Sequence, residues 1–359
     1  MTAALSFGFL NLFIPGHNFE RLHVFLFNLC SGGTIILIHT EGRNSLSPRT
    51  GAFFILSICY ALSAFLHQSL YAVSISVAMA LIVETIRIRK YSIFPWNFFS
   101  PASSVADKFH HASLLCLSMG LVISSLVICN HQYWHLVSSP KLTLDIFFLG
   151  FSFPVSLITM SIMFGLMEVS PNRAVTFLKN AGFWTINLGV LFFFLFILLG
   201  MVYAELVISF ALFTTVMMIF ILYLKLGARL QSKAFLTSGM VFLIMTAVTG
   251  IVYIILYVFI PAPTDGKLLL KLHALISLYG WNLNGLAVIC RYNDFPIQLN
   301  SGRLILFHWV IVVALAPLGF YFQGFSVAAV GAYGLFLYII LFTRGAAGLP
   351  RGNIARSAA

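Results

Sequence analysis

Two apolar tracts of this chain carry side chains that could do chemistry inside a membrane. "KLHALISLYGWNLNGLAVICRYNDFP" holds His273 near its start and Asn282 and Asn284 in its middle; "RLHVFLFNLCSGGTIILIHTEG" holds His23 and Asn28. Imidazole is a common ligand of metals and of heme iron, whereas an amide in lipid must bond across to another helix or to a solute. At about 100° per residue, Ser277, Gly280 and Asn284 fall beneath His273. Cys30 and Thr34 fall beneath His23 in the same way. Each imidazole therefore overhangs a face of small side chains. Tight helix packing is one use of such a face. The other is clearance for a flat macrocycle, with the ring nitrogen aimed at its iron.

Further candidates lie elsewhere. "HQYWH" sets His131 and His135 at i,i+4, the spacing that puts two imidazoles on one helical face. With His67 they would hold an external copper or zinc ion; interfacial packing of His and aromatic rings is the alternative. Glu205 has no basic residue within a turn or two. A carboxylate at that depth is neutralised or solvated by a cavity, which makes it a candidate for proton or cation handling. "FFLGFSFPVSLITMSIMFGLME" joins Pro154 to Ser152, Ser156, Thr159 and Ser161. Hydroxyls can satisfy the carbonyls that a proline kink frees, or they can line a solute path. Glu84 has Arg87 at i+3, a local ion pair. No Walker, HExxH or GxSxG motif is present.

The elements that must position these residues are membrane spans. Of 359 residues, 60% are hydrophobic and 8% charged, and mean hydropathy is +1.01. Soluble domains average about a quarter charged residues, so the expected fold is all-α and polytopic. Apolar runs predict eleven spans near 22–39, 51–67, 70–86, 112–129, 144–168, 181–199, 203–225, 235–260, 268–290, 303–322 and 325–343. The run from Ala181 to Leu226 is too long for one crossing and should break near Gly200. Residues 1–20 form a short apolar or interfacial segment, which makes twelve helices if it is counted. A single transmembrane domain covers 21–343, and 344–359 is a basic tail.

Lysine and arginine support this alternation. Sixteen fall on one side, in the loops after odd-numbered spans and in the tail, against four (Arg21, Lys141, Lys267 and Lys271) on the other. By the positive-inside rule the N-terminus is outside and the C-terminus cytoplasmic. His17, His23, His67, His131, His135 and His273 then lie on the outer side. Net charge is +11, but the basic residues punctuate apolar runs, so the partner is lipid headgroups and not nucleic acid. The chain reads as a multi-pass protein of a plasma or inner membrane. "YSIFPWNFF" should lie in the interface. The cysteines form no CxxC pair.

"LHALISLYGWNLNGLAVICRYNDFP" resembles the tenth helix of heme-copper oxidase subunit I and of NnrS-like heme membrane proteins. The tract beginning at His23, with Gly32-Gly33, resembles that family's second helix. The resemblance implies a low-spin heme b with His23 and His273 as axial ligands and with Gly280 and Asn284 in the cofactor-binding set. It also departs from the family: 144–168 and 181–199 contain no histidine, and the tenth-helix HxH is reduced to one His. An oxygen-reducing centre is therefore not implied.

Three readings stay open. The first is a b-type heme protein that transfers electrons or responds to a small gas or metal, with redox partners. The second is a secondary transporter or channel using Glu205, Asn28, Asn282, Asn284 and the kinked fifth span. The third is a structural or assembly subunit of a larger membrane complex.

Overall fold

The computed structural model of the chain describes residues 1–10, 12–14, 19–43, 45–137, 141–142, 147–228, 230, 232–259, 266–292, 295–297 and 302–343. Among these residues the only β-pairing is an isolated bridge between Met167 and Gly227. The basic tail 344–359 and His17 lie outside the described residues.

The helices, in order, are α1 (Thr2–Leu10), α2 (Leu22–Glu41), α3 (Pro48–Phe65), α4 (Ser69–Lys90), α5 (Val105–Trp134) and α6 (Gly150–Gly165). They continue with α7 (Arg173–Leu199), α8 (Val202–Leu226), α9 (Ser232–Phe259), α10 (Leu268–Cys290), α11 (Gly302–Gly319) and α12 (Gln323–Phe342). Ten of them are long and apolar enough to cross a bilayer; α6 is apolar but shorter. The molecule is a multi-pass α-helical membrane protein. Ten of the eleven expected spans coincide with these long helices; the fifth, 144–168, meets only the shorter α6 and the π-helical turn Phe147–Ser152 that leads into it.

Local chemistry fixes several boundaries. Ser47 caps α3 by accepting from the Thr50 N–H at 3.1 Å, with Pro48 in the first turn. α7 ends where Gly200 adopts a left-handed φ of 68° and donates its N–H back to the last turn, so the long run from Ala181 breaks there. α5 starts at Val105, seven residues before the apolar run near 112, because Ser104 caps the Asp107 N–H at 3.0 Å. Its polar first turns also find partners within the protein: Lys108 is buried and donates to Asn180 Oδ1 at 2.8 Å.

The N-terminal segment is drawn into the bundle. Ala4, Leu5 and Phe9 of α1 are buried, and Phe9 packs on Phe320 at 5.3 Å between ring centroids. At the centre stand α2 and α10, with 67% and 78% of their apolar windows buried, against 22–50% for the other eight long helices. Leu70, Leu81, Val207 and Tyr338 on the outer helices are exposed, as lipid-facing side chains are. α5 and α6 touch backbone to backbone: a Cβ on Gly120 would lie 2.3 Å from the Gly150 Cα. Only glycine permits that approach.

Candidate functional site: polar groups at the centre of the bundle

The two most enclosed spans are also the ones that depart from regular α-helix. α2 is π-helical over Phe25–Gly33 and α10 over Ile276–Asn282, and α11 has a similar stretch at Val310–Leu315. π-Turns re-aim side chains, free carbonyls, and recur at functional sites. Here the widened turn of α10 presents the Tyr279 carbonyl to His308, whose Nε2–H donates to it at 2.6 Å.

The π-turns of α2 and α10 and the one that leads into α6 bring polar side chains together. Asn282 Nδ2 donates to Asn28 Oδ1 at 3.3 Å and to Ser152 Oγ at 3.1 Å. Both asparagines are fully buried. Asn28 Nδ2 and Asn282 Oδ1 have no hydrogen-bond partner among the described residues. Turning both amides over exchanges their roles but still leaves one nitrogen and one oxygen unpaired. Each such buried group costs about 1–3 kcal/mol. One turn along, Trp281 Nε1 donates to Ser156 Oγ at 2.5 Å.

Ser152 and Ser156 also line a cavity of about 230 Å³ bounded by α6, α7, α8, α9 and α10. Ser209, Thr246, His273 and Ser277 supply its remaining polar groups; the walls are otherwise apolar, with Phe193, Leu212 and Ile251 among them. Among the described residues no Asp, Glu, Lys or Arg lines it. Glu205 is buried one turn above Ser209, whose hydroxyl donates to the Glu205 carbonyl at 2.7 Å. Its Oε1 has no partner among the described residues.

The predicted heme residues are placed differently from what the resemblance implies. His23 does not line the cavity that His273 lines. Its Nδ1 meets the Tyr279 hydroxyl at 2.6 Å, the Ala4 backbone is a second partner, and Gly8 packs against the ring. A neutral ring protonated on Nε2 satisfies both bonds and leaves no nitrogen for iron. His273 faces α9, with Nδ1 3.3 Å from Thr249 Oγ1. Gly280 offers no clearance, because a Cβ there would lie 2.5 Å from Phe242 Cγ. Asn284 donates to the Phe235 carbonyl at 2.9 Å. His273, Gly280 and Asn284 thus share one face, as their spacing predicts, and that face is packed against α9. Gly32 and Gly33 are likewise filled, by Val155 and Phe53. The residues present do not fit a heme held between the two imidazoles.

Of the external metal candidates, His67 and His131 line one pocket, and His135 is not among its lining residues. Asn130–Trp134 is π-helical and His135 ends it at a left-handed φ of 52°. The i,i+4 register of a regular helix is therefore not kept. Among the described residues no three His, Cys, Asp or Glu side chains converge on a common point.

A second polar region lies at the far end of α4, roughly 27 Å from Ser69 at 1.5 Å per residue. Arg87 is buried and uses each of its five N–H groups. It grips Glu84 through Nε and Nη2, donates to the Ser92 and Ile93 carbonyls at 3.1 and 3.0 Å, and donates to His111 Nε2 at 2.7 Å. His111 must then be neutral and donates from Nδ1 to Asn97 Oδ1 at 2.6 Å. Tyr91 stacks on its ring at 4.5 Å. Ser118 also donates to Glu84. Beside this network His110 bonds Thr40 Oγ1 at 2.8 Å and stacks on His39.

No protein-family model, no curated protein and no solved structure matches this chain. Tyr279, Trp281 and Ser209 went unremarked in the sequence, though the hydroxyl four residues after Glu205 was a usable signal. The bonds of Tyr279 depend on helices 29 and 256 residues away in the chain, which no local pattern reveals.

Proposed function

We propose that this protein binds a small, largely apolar, uncharged solute in the hydroxyl-lined cavity and carries it across the membrane as a secondary transporter. The observation that carries the reading is Ser152. It accepts from Asn282 in a buried cluster with one amide nitrogen and one amide oxygen unpaired, and it also lines the cavity. Asn28 and Asn282 do not line the cavity themselves, so a solute would meet the cluster through Ser152, whose hydroxyl can bond a group that both donates and accepts, such as an amide, an alcohol or a protonated carboxylic acid. The apolar walls favour a hydrocarbon body, and the lack of charged lining disfavours an ion. Irregular helix turns that line a polar site between enclosed spans are the arrangement secondary transporters use. Glu205, beside Ser209, is the group that would take up a proton with the solute. With the His67 end outside, as the distribution of Lys and Arg favours, the cavity would lie in the outer half of the membrane.

A thermal-shift screen of the purified protein against short-chain primary amides, alcohols and carboxylic acids tests this, followed by counterflow uptake of any hit in proteoliposomes. Asn282→Ala and Ser152→Ala should lose binding, and Glu205→Gln should lose uptake while binding persists. A screen with no hit, or hits indifferent to both cavity variants, sinks the transport reading. A Soret band in the purified protein would restore the heme reading.

A further inference from the structure

A second recess, richer in polar groups at its rim, is separate from the cavity described above. It lies on the other side of Phe151, with a volume of about 340 Å³, where the ends of α3 and α5 meet the start of α4. Its rim carries His67, Gln68, His131 and Gln132; its floor is formed by Phe25 and Tyr60, whose rings meet edge to face at 5.2 Å. Tyr60 is held by a hydrogen bond with Ser124. Gln132 Nε2 lies 3.3 Å from His131 Nδ1, which ties half of the rim together. Among the described residues the side chains of His67 and Gln68 make no hydrogen bond, so they stand ready for a ligand. His67 sits in the rim at a left-handed φ of 56°, a strained conformation for a non-glycine residue. Strain of this kind gathers where a side chain must be presented.

The lining sets the ligand's chemistry. Among the described residues no Asp, Glu, Lys or Arg lines the recess, so a charged group would lose its hydration without a counter-charge. The rim amides of Gln68 and Gln132 each pair a donor with an acceptor, as every hydroxyl group does. Phe25 and Tyr60 are almost wholly buried and only close the floor, so a ligand's polar bonds would come from the rim, which suits a ring with hydroxyls along its edge. We infer that this recess is a second binding site, for an uncharged polyhydroxylated ring such as a sugar. Leu66, Leu70 and Tyr71 beside the rim are exposed as lipid-facing groups are. The ring belongs either to a free saccharide or to a glycolipid headgroup, and the chemistry recognised is the same.

The test uses the whole protein in phosphatidylcholine nanodiscs, prepared without maltoside or glucoside detergents, which would compete. Melting is followed against glucose, maltose and myo-inositol, against discs with and without monoglucosyl diacylglycerol, and against zinc chloride. Saturable stabilisation by a free sugar identifies a soluble ligand. Stabilisation only in glycolipid discs identifies a headgroup. In either case Gln68→Ala and Gln132→Ala should weaken binding roughly three- to tenfold each, the loss of one neutral hydrogen bond. Asn282→Ala should leave it unchanged, which separates this site from the solute cavity. Two results overturn the inference: no response to any sugar or glycolipid, or a zinc response lost in His67→Ala and His131→Ala with none to sugars.

Discussion

The polar network around Arg87 and the polar cluster around Asn282 are both buried between helices, and they close their bonds differently. Around Arg87 every charged donor is taken, and the atoms left over are the Tyr91 hydroxyl and Asn97 Nδ2, at the edge of the network. Around Asn282, unpaired atoms belong to Asn28, Thr34, Asn282 and Asn284 on the two most enclosed spans, and to His308 and Tyr333 beside them. A saturated network resists change and pins the loop after α4 to α4 and α5. An unsaturated one has bonding capacity left for something other than the fold. The difference shows why counting polar residues in a span is a poor guide to function: the count is similar in both places, and only the bonding separates them.

Substitutions should separate the two regions by size of effect. Arg87→Leu strands Glu84 and releases the Ser92 and Ile93 carbonyls, so unfolding of the protein in nanodiscs should show a loss of about 3–5 kcal/mol. A loss below about 1 kcal/mol, the scale of an exposed ion pair, would mean that the network is ornamental. Next comes Gly280→Ala, whose new methyl meets Phe242; about 1–3 kcal/mol of overpacking is expected in the same assay. A neutral result would reopen the space that a macrocycle needs. Ser118→Ala removes one bond to Glu84 and should cost about 1.5 kcal/mol, the low end for a bond to a charged group. The smallest effect on folding belongs to the central cluster. Asn28→Leu with Asn282→Leu keeps shape and removes two unpaired buried atoms, so stability should stay within about 1 kcal/mol or rise. Binding of the screened solute should vanish. If this double variant unfolds the protein instead, the asparagines serve packing and the comparison fails.

Much of the frame is legible in the sequence, because lipid imposes a length and a hydrophobicity on each crossing. Even the break at Gly200 could be read, since only a turn can divide an apolar run of that length. The shared face of His273, Gly280 and Asn284 was equally readable from helical periodicity. What occupies that face was not. Whether Gly280 makes room for a cofactor or for Phe242 depends on a helix that packs there only in three dimensions. His110 and His111 hid for another reason: a capped and internally bonded helix start can extend an apolar span into polar sequence, as α5 does. The π-turns leave no periodic trace, although they aim Asn28 and Asn282 at each other.

Gly150, Phe151 and Ser152 follow one another in the chain, and each borders a different hollow of the protein. A wall three residues long has no slack to absorb a displacement on one side without passing it to the others. If an occupant of one chamber displaced this wall, the shape offered to an occupant of the next would change with it, and by thermodynamic reciprocity the influence would run equally in both directions.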